Sequence, residues 1–362
     1  MPKEQDDGAQ DQDPEPLYAT HNVLGNVVSG APYQTIVKGP QLLSKLLRVS
    51  REARQAALGF YRVHLPCCFG TGGIAENFGT LPFNPEFDVL RIQSGGGCHN
   101  FVHFLHDIRA YDKLGVGLLN LALDNNGVNN LLGINGPALE CDGRGALIST
   151  LSKLRQMFFV SIESGGRTYL GARSGIHTND RYEFHRSRPI MSAIPSFDRL
   201  SQDPRGGLDR DLSRVYVGTF DPRRMVSRWQ EVLHRWNIAY TSGKAPEYSL
   251  LASTRVGPHG DDIISRGAAT EWLQVEEERW LRFQQRHASR IVNRGYTLPL
   301  ESSEELEKAP RPAMGFWLFP IEAIGELPGP KALAENGESV WEAKRVVDMR
   351  KYRPELWLAH MA

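Results

Sequence analysis

The residues whose types could do chemistry are concentrated between positions 64 and 106. Zinc binds four nitrogen or sulfur ligands in a tetrahedral arrangement. His103 and His106 are three residues apart, so on a helix they would share a face and could reach one ion together with Cys98. Their apolar neighbours suit a packed helix equally well, and no spacing matches a standard zinc motif. The sequence therefore predicts no metal site, and Cys98, His103 and His106 are the residues that would form one. The whole set is His64, Cys67, Cys68, Cys98, His99, His103 and His106.

Patterns typical of a catalytic nucleophile or a phosphate-binding loop are missing from the sequence. A nucleophile elbow requires Gly-x-Ser-x-Gly, which does not occur. Glycines cluster at 70–73 and 95–97, but neither cluster has the spacing of a dinucleotide or phosphate loop, nor the Lys-Ser/Thr that follows the latter. We therefore expect no catalytic residues and no cofactor.

An enzyme remains the alternative hypothesis, either hydrolase-like or metal-dependent. Ligands of open α/β sheets bind beyond the carboxyl ends of parallel strands. Such a site would lie in the loops after Ile92 and Leu123. It would require His103, Asp124 and Cys98 to meet in one cleft.

Two arginine-rich segments make nucleic-acid binding a third alternative. One runs from Arg181 to Arg188 with interleaved aromatic residues, and the other contains Arg223, Arg224 and Arg228. The chain has 42 Lys plus Arg and 42 Asp plus Glu, so its formal net charge is zero. That balance argues against a protein whose main task is to neutralise a phosphate backbone or an anionic membrane. Nucleic-acid binding would require both segments to converge on one face.

Composition predicts a soluble intracellular protein, in the cytoplasm or nucleus. Four cysteines in 362 residues are too few for a disulfide scaffold. No apolar stretch approaches the roughly 18 to 20 residues of a membrane span, so we expect no membrane partner. Residues 1–16 are acidic and polar, without the apolar core of a secretory signal, and are predicted to form a disordered tail.

Helix-length segments alternate with short apolar runs along much of the chain. Residues 100–110 and 145–154 have apolar side chains at helical spacing, and apolar runs follow at 115–123 and 157–162. Short strands are also predicted at 87–92 and 215–219. Strands separated by helices favour a parallel sheet. We therefore predict an α/β fold with a mostly parallel, irregular solenoid-like sheet backed by helices, and a C-terminal helix and strand extension.

The predicted α/β core spans residues 17–240, and residues 241–362 are predicted to pack on it as the extension. Within the core, a helix is expected from Gly39-Pro40 to Phe60 with its apolar face inward. Another begins at Asp221-Pro222, and its single apolar stripe should lie against the sheet. The extension should contain a long amphipathic helix from Ala268 to Arg294.

Two short segments together resemble a family signature. Leu46-Leu47-Arg48-Val49-Ser50-Arg51-Glu52-Ala53-Arg54 is a leucine-rich helix ending in Arg-Glu-x-Arg, and Phe83-Asn84-Pro85-Glu86-Phe87-Asp88-Val89-Leu90 follows about thirty residues later. The pair resembles the fungal proteins with a doubled Glu-x-Arg (two-EXR) domain, a largely uncharacterised family. The C-terminal residues 346–357 resemble the ends of many of these proteins.

The sequence departs from that family in one respect. Members usually begin with a Leu-Pro-x-Glu-Ile-Arg segment that resembles the start of an F-box and supplies the first Glu-x-Arg. No such segment occurs between Leu17 and Gly39, and only the second motif, Glu52-Ala53-Arg54, matches. If the F-box-like segment links some members to ubiquitin ligases, this chain would have lost that link.

The signature residues Arg51, Glu52, Arg54, Asn84 and Asp88 are predicted to be structural. We expect the first three to form a buried or half-buried ion-pair network that joins the helix end to the segment around Asn84 and Asp88, because arginine can bind carboxylates and carbonyls with two parallel hydrogen bonds. Contact with a ligand is the alternative role. The predicted function is a non-catalytic protein–protein interaction module with an unknown protein partner.

Overall fold

The computed structural model describes most of the chain. The described residues are 20–38, 46–70, 77–93, 98–134, 141–163, 167–170, 182–217, 221–255, 263–292, 303–341 and 346–361. The predicted acidic tail, residues 1–16, lies outside them. No helix of the described part is long and apolar enough to cross a bilayer.

Short strands recur from the N-terminal to the C-terminal end of the described chain. They are β1 (Thr20–His21), β2 (Val27–Val28), β3 (Ile36–Lys38), β4 (Val63–Gly70), β5 (Asn77–Phe83), β6 (Leu90–Arg91), β7 (Asn120–Leu123), β8 (Gln156–Glu163), β9 (Thr168–Leu170), β10 (Tyr182–Phe184), β11 (Phe197–Leu200), β12 (Val215–Tyr216), β13 (Glu247–Thr254), β14 (Gly315–Pro320), β15 (Val346–Val347) and β16 (Glu355–Ala359).

Helices separate many of these strands. They are α1 (Leu46–Val49), α2 (Arg51–Phe60), α3 (Cys98–Ala110), α4 (Asn125–Leu132), α5 (Cys141–Leu151), α6 (Asp209–Leu212), α7 (Arg223–Arg235), α8 (Arg266–Val292), α9 (Ser303–Glu307) and α10 (Pro330–Asn336). Two 3₁₀ turns follow β14 and α10, at Ile321–Ile324 and Gly337–Val340.

A seven-stranded mixed sheet with the order β11-β16-β14-β13-β8-β7-β6 is the centre of the fold. Strands β6, β7, β8 and β13 are parallel and lie in sequence order, as predicted for a solenoid-like sheet. Strands β13, β14, β16 and β11 pair antiparallel. The α/β fold class with a helix-backed sheet is confirmed, and the structure adds that parallel pairing covers half of this sheet.

The two faces of this sheet contribute to two different apolar clusters. One face packs against α3, α4, α5 and α7 in the largest apolar cluster. The predicted stripe of α7 is confirmed, because its apolar side chains are buried there. The other face holds a smaller buried cluster formed by Ala122, Phe158, Val160, Leu251, Phe316, Leu318 and Trp357.

A second, three-stranded sheet with the order β3-β4-β5 precedes the main one in sequence. Its central strand β4 pairs parallel with β3 and antiparallel with β5. The remaining pairings are β1 with β2, β9 with β10 and β12 with β15. The predicted strand at 215–219 is therefore present as β12, but it pairs with β15 outside the main sheet.

The signature helix and the strand after it differ from the prediction. The helix is interrupted at Ser50, which has an extended backbone and caps α2 by accepting a hydrogen bond from the Ala53 N–H at 3.1 Å. The strand expected over 87–92 is reduced to Leu90–Arg91, because residues 84–88 form a turn. In both places local side-chain to backbone hydrogen bonds prevail over the apolar pattern.

Two buried aspartates join segments that are distant in sequence. Asp107 of α3 accepts hydrogen bonds from the Ser29 N–H and Oγ, both at 2.7 Å, and from the Tyr33 hydroxyl at 2.6 Å. Burial raises the pKa of Asp107, but the hydrogen bonds from His106, Tyr33 and Ser29 outweigh that effect and lower it. The ionised carboxylate therefore holds the N-terminal segment against α3.

Asp203 has the same role at the antiparallel end of the sheet. Its Oδ2 accepts a hydrogen bond from the indole Nε1 of Trp317 in β14 at 2.7 Å, and its Oδ1 lies 2.9 Å from Nε of Arg205. Burial again opposes ionisation, and the Arg205 and Trp317 hydrogen bonds lower the pKa of Asp203 below its ordinary value.

We predict that these two carboxylates make the protein acid-sensitive. Each pKa is lower in the folded protein than in the unfolded chain, so the contribution of these carboxylates is complete above the unfolded value of about 3.9 and is lost progressively as the pH falls from there through the lower folded-state pKa. Urea unfolding at a series of pH values should show a free energy of unfolding that falls below about pH 4. The variant Asp203→Asn should have a shallower acid limb, and an unchanged limb would contradict this account.

Gly315 marks a close backbone approach within the antiparallel half. Its φ is +142°, and a Cβ there would lie 1.8 Å from the carbonyl oxygen of Trp357 in the neighbouring strand β16. Glycine is therefore required both by its backbone conformation and by the space available.

Gly315→Ala should consequently destabilise the fold by at least about 3 kcal/mol, because strain and a backbone clash act together. The matched control is Gly206→Ala, since a Cβ at Gly206 has no atom within 4 Å. Chemical denaturation of the two variants beside the parent chain measures the difference. Equal stabilities for the two variants would be inconsistent with the described contact.

Candidate functional site

The Glu-x-Arg segment lies on the outer side of α2. The side chains of Arg51, Glu52 and Arg54 are exposed, and among the described residues none of them makes an ion pair. The pKa of Glu52 is lowered by its own backbone N–H and by the Ser50 hydroxyl, as in a helix-capping arrangement. The predicted buried network of these three residues is therefore wrong. Ala57 is the only buried residue of α2, so the charged side chains of this helix remain at the surface.

A different arginine connects the end of α2 to the end of α3 and to the turn that contains Glu86. Arg62, two residues after α2, donates from Nε to Oδ1 of Asp112 at 2.7 Å and also pairs with Glu86. The Asp112 side chain is fully buried, and it also accepts hydrogen bonds from the backbone N–H groups of Leu114 and Gly117, both at 3.0 Å. We call Arg62, Glu86 and Asp112 the Asp112 cluster.

The pKa values of the two acids follow from these contacts. Burial raises the pKa of Asp112, but the hydrogen bonds from Arg62 and from the backbone outweigh it and lower the value. The Arg62 guanidinium lowers the pKa of Glu86. Both carboxylates are consequently ionised at neutral pH, and the cluster is a stable connection between the ends of α2 and α3.

The second signature segment forms a rigid turn. The Asn84 side chain accepts a hydrogen bond from the Glu86 N–H at 3.0 Å and donates from Nδ2 to the Phe60 carbonyl at 2.8 Å. The Asp88 carboxylate accepts from the Asn84 N–H at 2.7 Å. Asn84 and Asp88 therefore have the kind of contacts expected of structural residues, and Asn84 joins the turn to the end of α2.

Asn120 supports the same turn from the main sheet. From the first position of β7, its Nδ2 lies 3.1 Å from the carbonyl oxygens of both Pro85 and Asp88. Sequence reasoning missed Asn120, Arg62 and Asp112. The available signal was weak: an arginine two residues after the signature helix, and an aspartate three residues before a glycine, just after the end of α3.

Two exposed phenylalanines lie at the end of α2 and in the Asn84 turn, which are joined by the hydrogen bonds described above. Phe60 is 46% exposed and Phe87 is 71% exposed, and their ring centroids are 5.3 Å apart. The ring of Tyr61 meets Phe60 edge-on at 4.9 Å. We call Phe60, Tyr61 and Phe87 the aromatic surface. Its backbone positions are fixed by Asn84 below and by the Asp112 cluster beside it.

The histidines and cysteines considered as metal ligands are dispersed. In the described part of the chain, no group of three His, Cys, Asp or Glu side chains is placed to hold a metal ion. His103 is buried in α3, whereas His106 is partly exposed and its Nδ1 lies 3.3 Å from Oδ1 of Asp107. Cys98 begins α3, and its side chain lies outside the described residues.

The adjacent thiols of β4 have the properties of core residues. Cys67 and Cys68 are free and buried. Burial, together with the neighbouring Cys68, raises the pKa of Cys67 to about 11. Cys67 is consequently protonated at neutral pH, which is the opposite of what a nucleophile or a metal ligand requires.

The carboxyl end of β7 was the position predicted for an alternative catalytic site. Asp124 follows β7 directly, but its Oδ1 caps α4 by accepting a hydrogen bond from the Gly127 N–H at 2.9 Å. Its Oδ2 lies 3.4 Å from the Gln93 amide and 3.7 Å from the Arg91 guanidinium. These contacts give Asp124 a structural role at the helix N-terminus.

The arginines of the two arginine-rich segments are engaged within the protein. Arg188 is almost fully buried and donates to the carbonyl oxygens of Tyr216 and Ser253. Arg186 pairs with Glu277 of α8 and lies over the ring of Phe184.

In the second segment, Arg223 pairs with Asp221, and Arg228 donates to the side-chain oxygen of Asn129. Arg181 lies outside the described residues. The contacts of these arginines account for their presence without a nucleic acid.

Comparison with known proteins gives no relative. The chain matches no protein-family model, no curated protein and no solved structure.

We predict that Arg62, and not Arg54, supports the stability of this region. Arg62→Ala would leave the buried Asp112 carboxylate without its cation, and we expect a loss of about 2–4 kcal/mol in the free energy of unfolding. Arg54→Ala, on the exposed side of α2, should change it by less than about 0.5 kcal/mol. Urea denaturation of the two variants is the measurement, and a larger loss for Arg54→Ala would reverse this assignment.

Proposed function

We propose that this protein is a non-catalytic interaction module that binds a protein partner through the aromatic surface. The observation that supports the proposal is the contact between Phe60 and Phe87, two large apolar side chains whose rings meet at a tilt of 32° while remaining 46% and 71% exposed. Exposed aromatic side chains in contact are typical of the energetically dominant residues of protein interfaces.

The hydrogen bonds that fix the backbone of Phe60 and Phe87 favour tight binding. Side chains that must be ordered on association reduce affinity, and preorganised ones avoid that cost. Here the backbone of Phe87 lies in the Asn84 turn, and the carbonyl of Phe60 accepts a hydrogen bond from Asn84. A partner therefore meets two rings whose attachment points are already fixed.

The resemblance to two-EXR proteins belongs to the same proposal. Its support is that the two signature segments meet in space, since Asn84 of the second contacts the last residue of the helix in the first. An intracellular location is also proposed, and the free thiols Cys67 and Cys68 fit a reducing compartment.

The test is a comparison of exposed phenylalanines. The double variant Phe60→Ser/Phe87→Ser removes both rings of the contacting pair. The variant Phe78→Ser removes an 89% exposed ring in β5, five residues before Phe83 and away from the turn. The tagged full-length proteins would be incubated with an extract of cells that natively contain the chain, and the retained proteins quantified by mass spectrometry.

We expect the parent and Phe78→Ser proteins to retain the same stoichiometric partner, and the double variant to retain at least about tenfold less of it. Thermal unfolding should be similar for all three, because none of these rings is buried. Equal retention by the double variant, or loss through Phe78→Ser instead, would contradict the proposed surface.

A further inference from the structure

A cleft of about 440 Å³ lies between α3 and the first turns of α5. Its volume is within the range of small-molecule sites. The cleft is separate from the aromatic surface. It is lined by Asn26, Val27, His106, Arg109, Ala110, Gly115, Asp142, Gly145 and Ala146.

Two side chains of opposite charge line this cleft without meeting each other. Arg109, in the last turn of α3, donates from Nε to the Gly115 carbonyl at 3.2 Å, and its two terminal nitrogens have no partner among the described residues. Asp142, in the first turn of α5, is exposed and makes no ion pair within the described chain. The cleft thus presents a cation on one wall and an anion on the other.

Apolar side chains also line the cleft. Ala110 and Ala146 are buried, and Val27 is 37% exposed. Gly115 has a φ of +61°, a left-handed conformation that favours glycine. Gly145 has no such requirement, because it is helical and a Cβ there would have no atom within 4 Å. Glycine is unfavourable inside a helix, and what it provides at this position is open space in the cleft.

We propose that this cleft binds a free amino acid with an apolar side chain. Its carboxylate would pair with the terminal nitrogens of Arg109, since a guanidinium binds a carboxylate through two parallel hydrogen bonds. Its ammonium would lie toward Asp142, and its side chain would rest on Ala110, Ala146 and Val27. The proposal is independent of the protein-binding function proposed above.

The first experiment uses the full-length protein and each of the twenty standard amino acids in turn, at roughly 10 mM. Differential scanning calorimetry should show a rise in melting temperature of about 1–3 °C for one or more apolar amino acids, with isothermal titration calorimetry giving their affinity. The N-acetyl and amide derivatives of the best ligand each lack one charge, and both should bind at least tenfold more weakly.

Two variants assign the binding to this cleft. Arg109→Met removes the cation, and Gly145→Met places a side chain in the open space while retaining the described contacts of α5. Both should weaken binding at least tenfold. The matched control is Gly59→Met in α2, where a Cβ also has no atom within 4 Å and where the parent affinity should be kept.

The proposal is overturned if none of the amino acids changes the melting temperature or releases heat, if a singly charged derivative binds as well as the free amino acid, or if Gly145→Met binds like the parent. Should Arg109→Met fail to fold, Gly145→Met and the derivatives still decide the outcome.

Discussion

The pairing of strand β13 on both of its edges is the constraint on which the rest of the fold depends. On one side it pairs parallel with β8 over the full eight residues of each strand, and on the other it pairs antiparallel with β14. Residues 249–254 are all buried. Without this strand, the helix-backed parallel half and the antiparallel half would each have an open edge and an uncovered apolar face. The C-terminal third of the chain therefore supplies the middle of the sheet.

Sequence patterns correctly predicted the helices and strands whose apolar periodicity is strong. The helix predicted at 100–110 is α3, the run at 157–162 is β8, and the helix after Asp221-Pro222 is α7 with its apolar stripe buried. In each case one uninterrupted apolar pattern is buried in the core, so local preference and tertiary packing agree.

The pattern failed for β13, which was not recognised as a strand. Its buried positions include Ser249, Ser253 and Thr254, which interrupt the apolar run. Burial of Ser253 is possible because its hydroxyl donates to the Gly315 carbonyl at 2.7 Å, a partner sixty-two residues away that no local pattern reveals.

Part of the candidate site was missed for a similar reason. Asn84 and Asp88 were identified, but Arg62, Asp112 and Asn120 act through contacts across the chain. The apolar face of α2 was misassigned because periodicity does not show which apolar faces remain exposed.

The two thiols of β4 give the small sheet an internal reporter. Cys67 and Cys68 are buried in its central strand, and the Gln34 amide lies 2.8 Å from Sγ of Cys68. An alkylating reagent can therefore reach them only when β3 or β5 separates from β4, and the rate of labelling measures the free energy of that opening. Because β5 leads directly into the Asn84 turn, this natural pair of probes follows the loosening of the region beneath the aromatic surface without any engineered label.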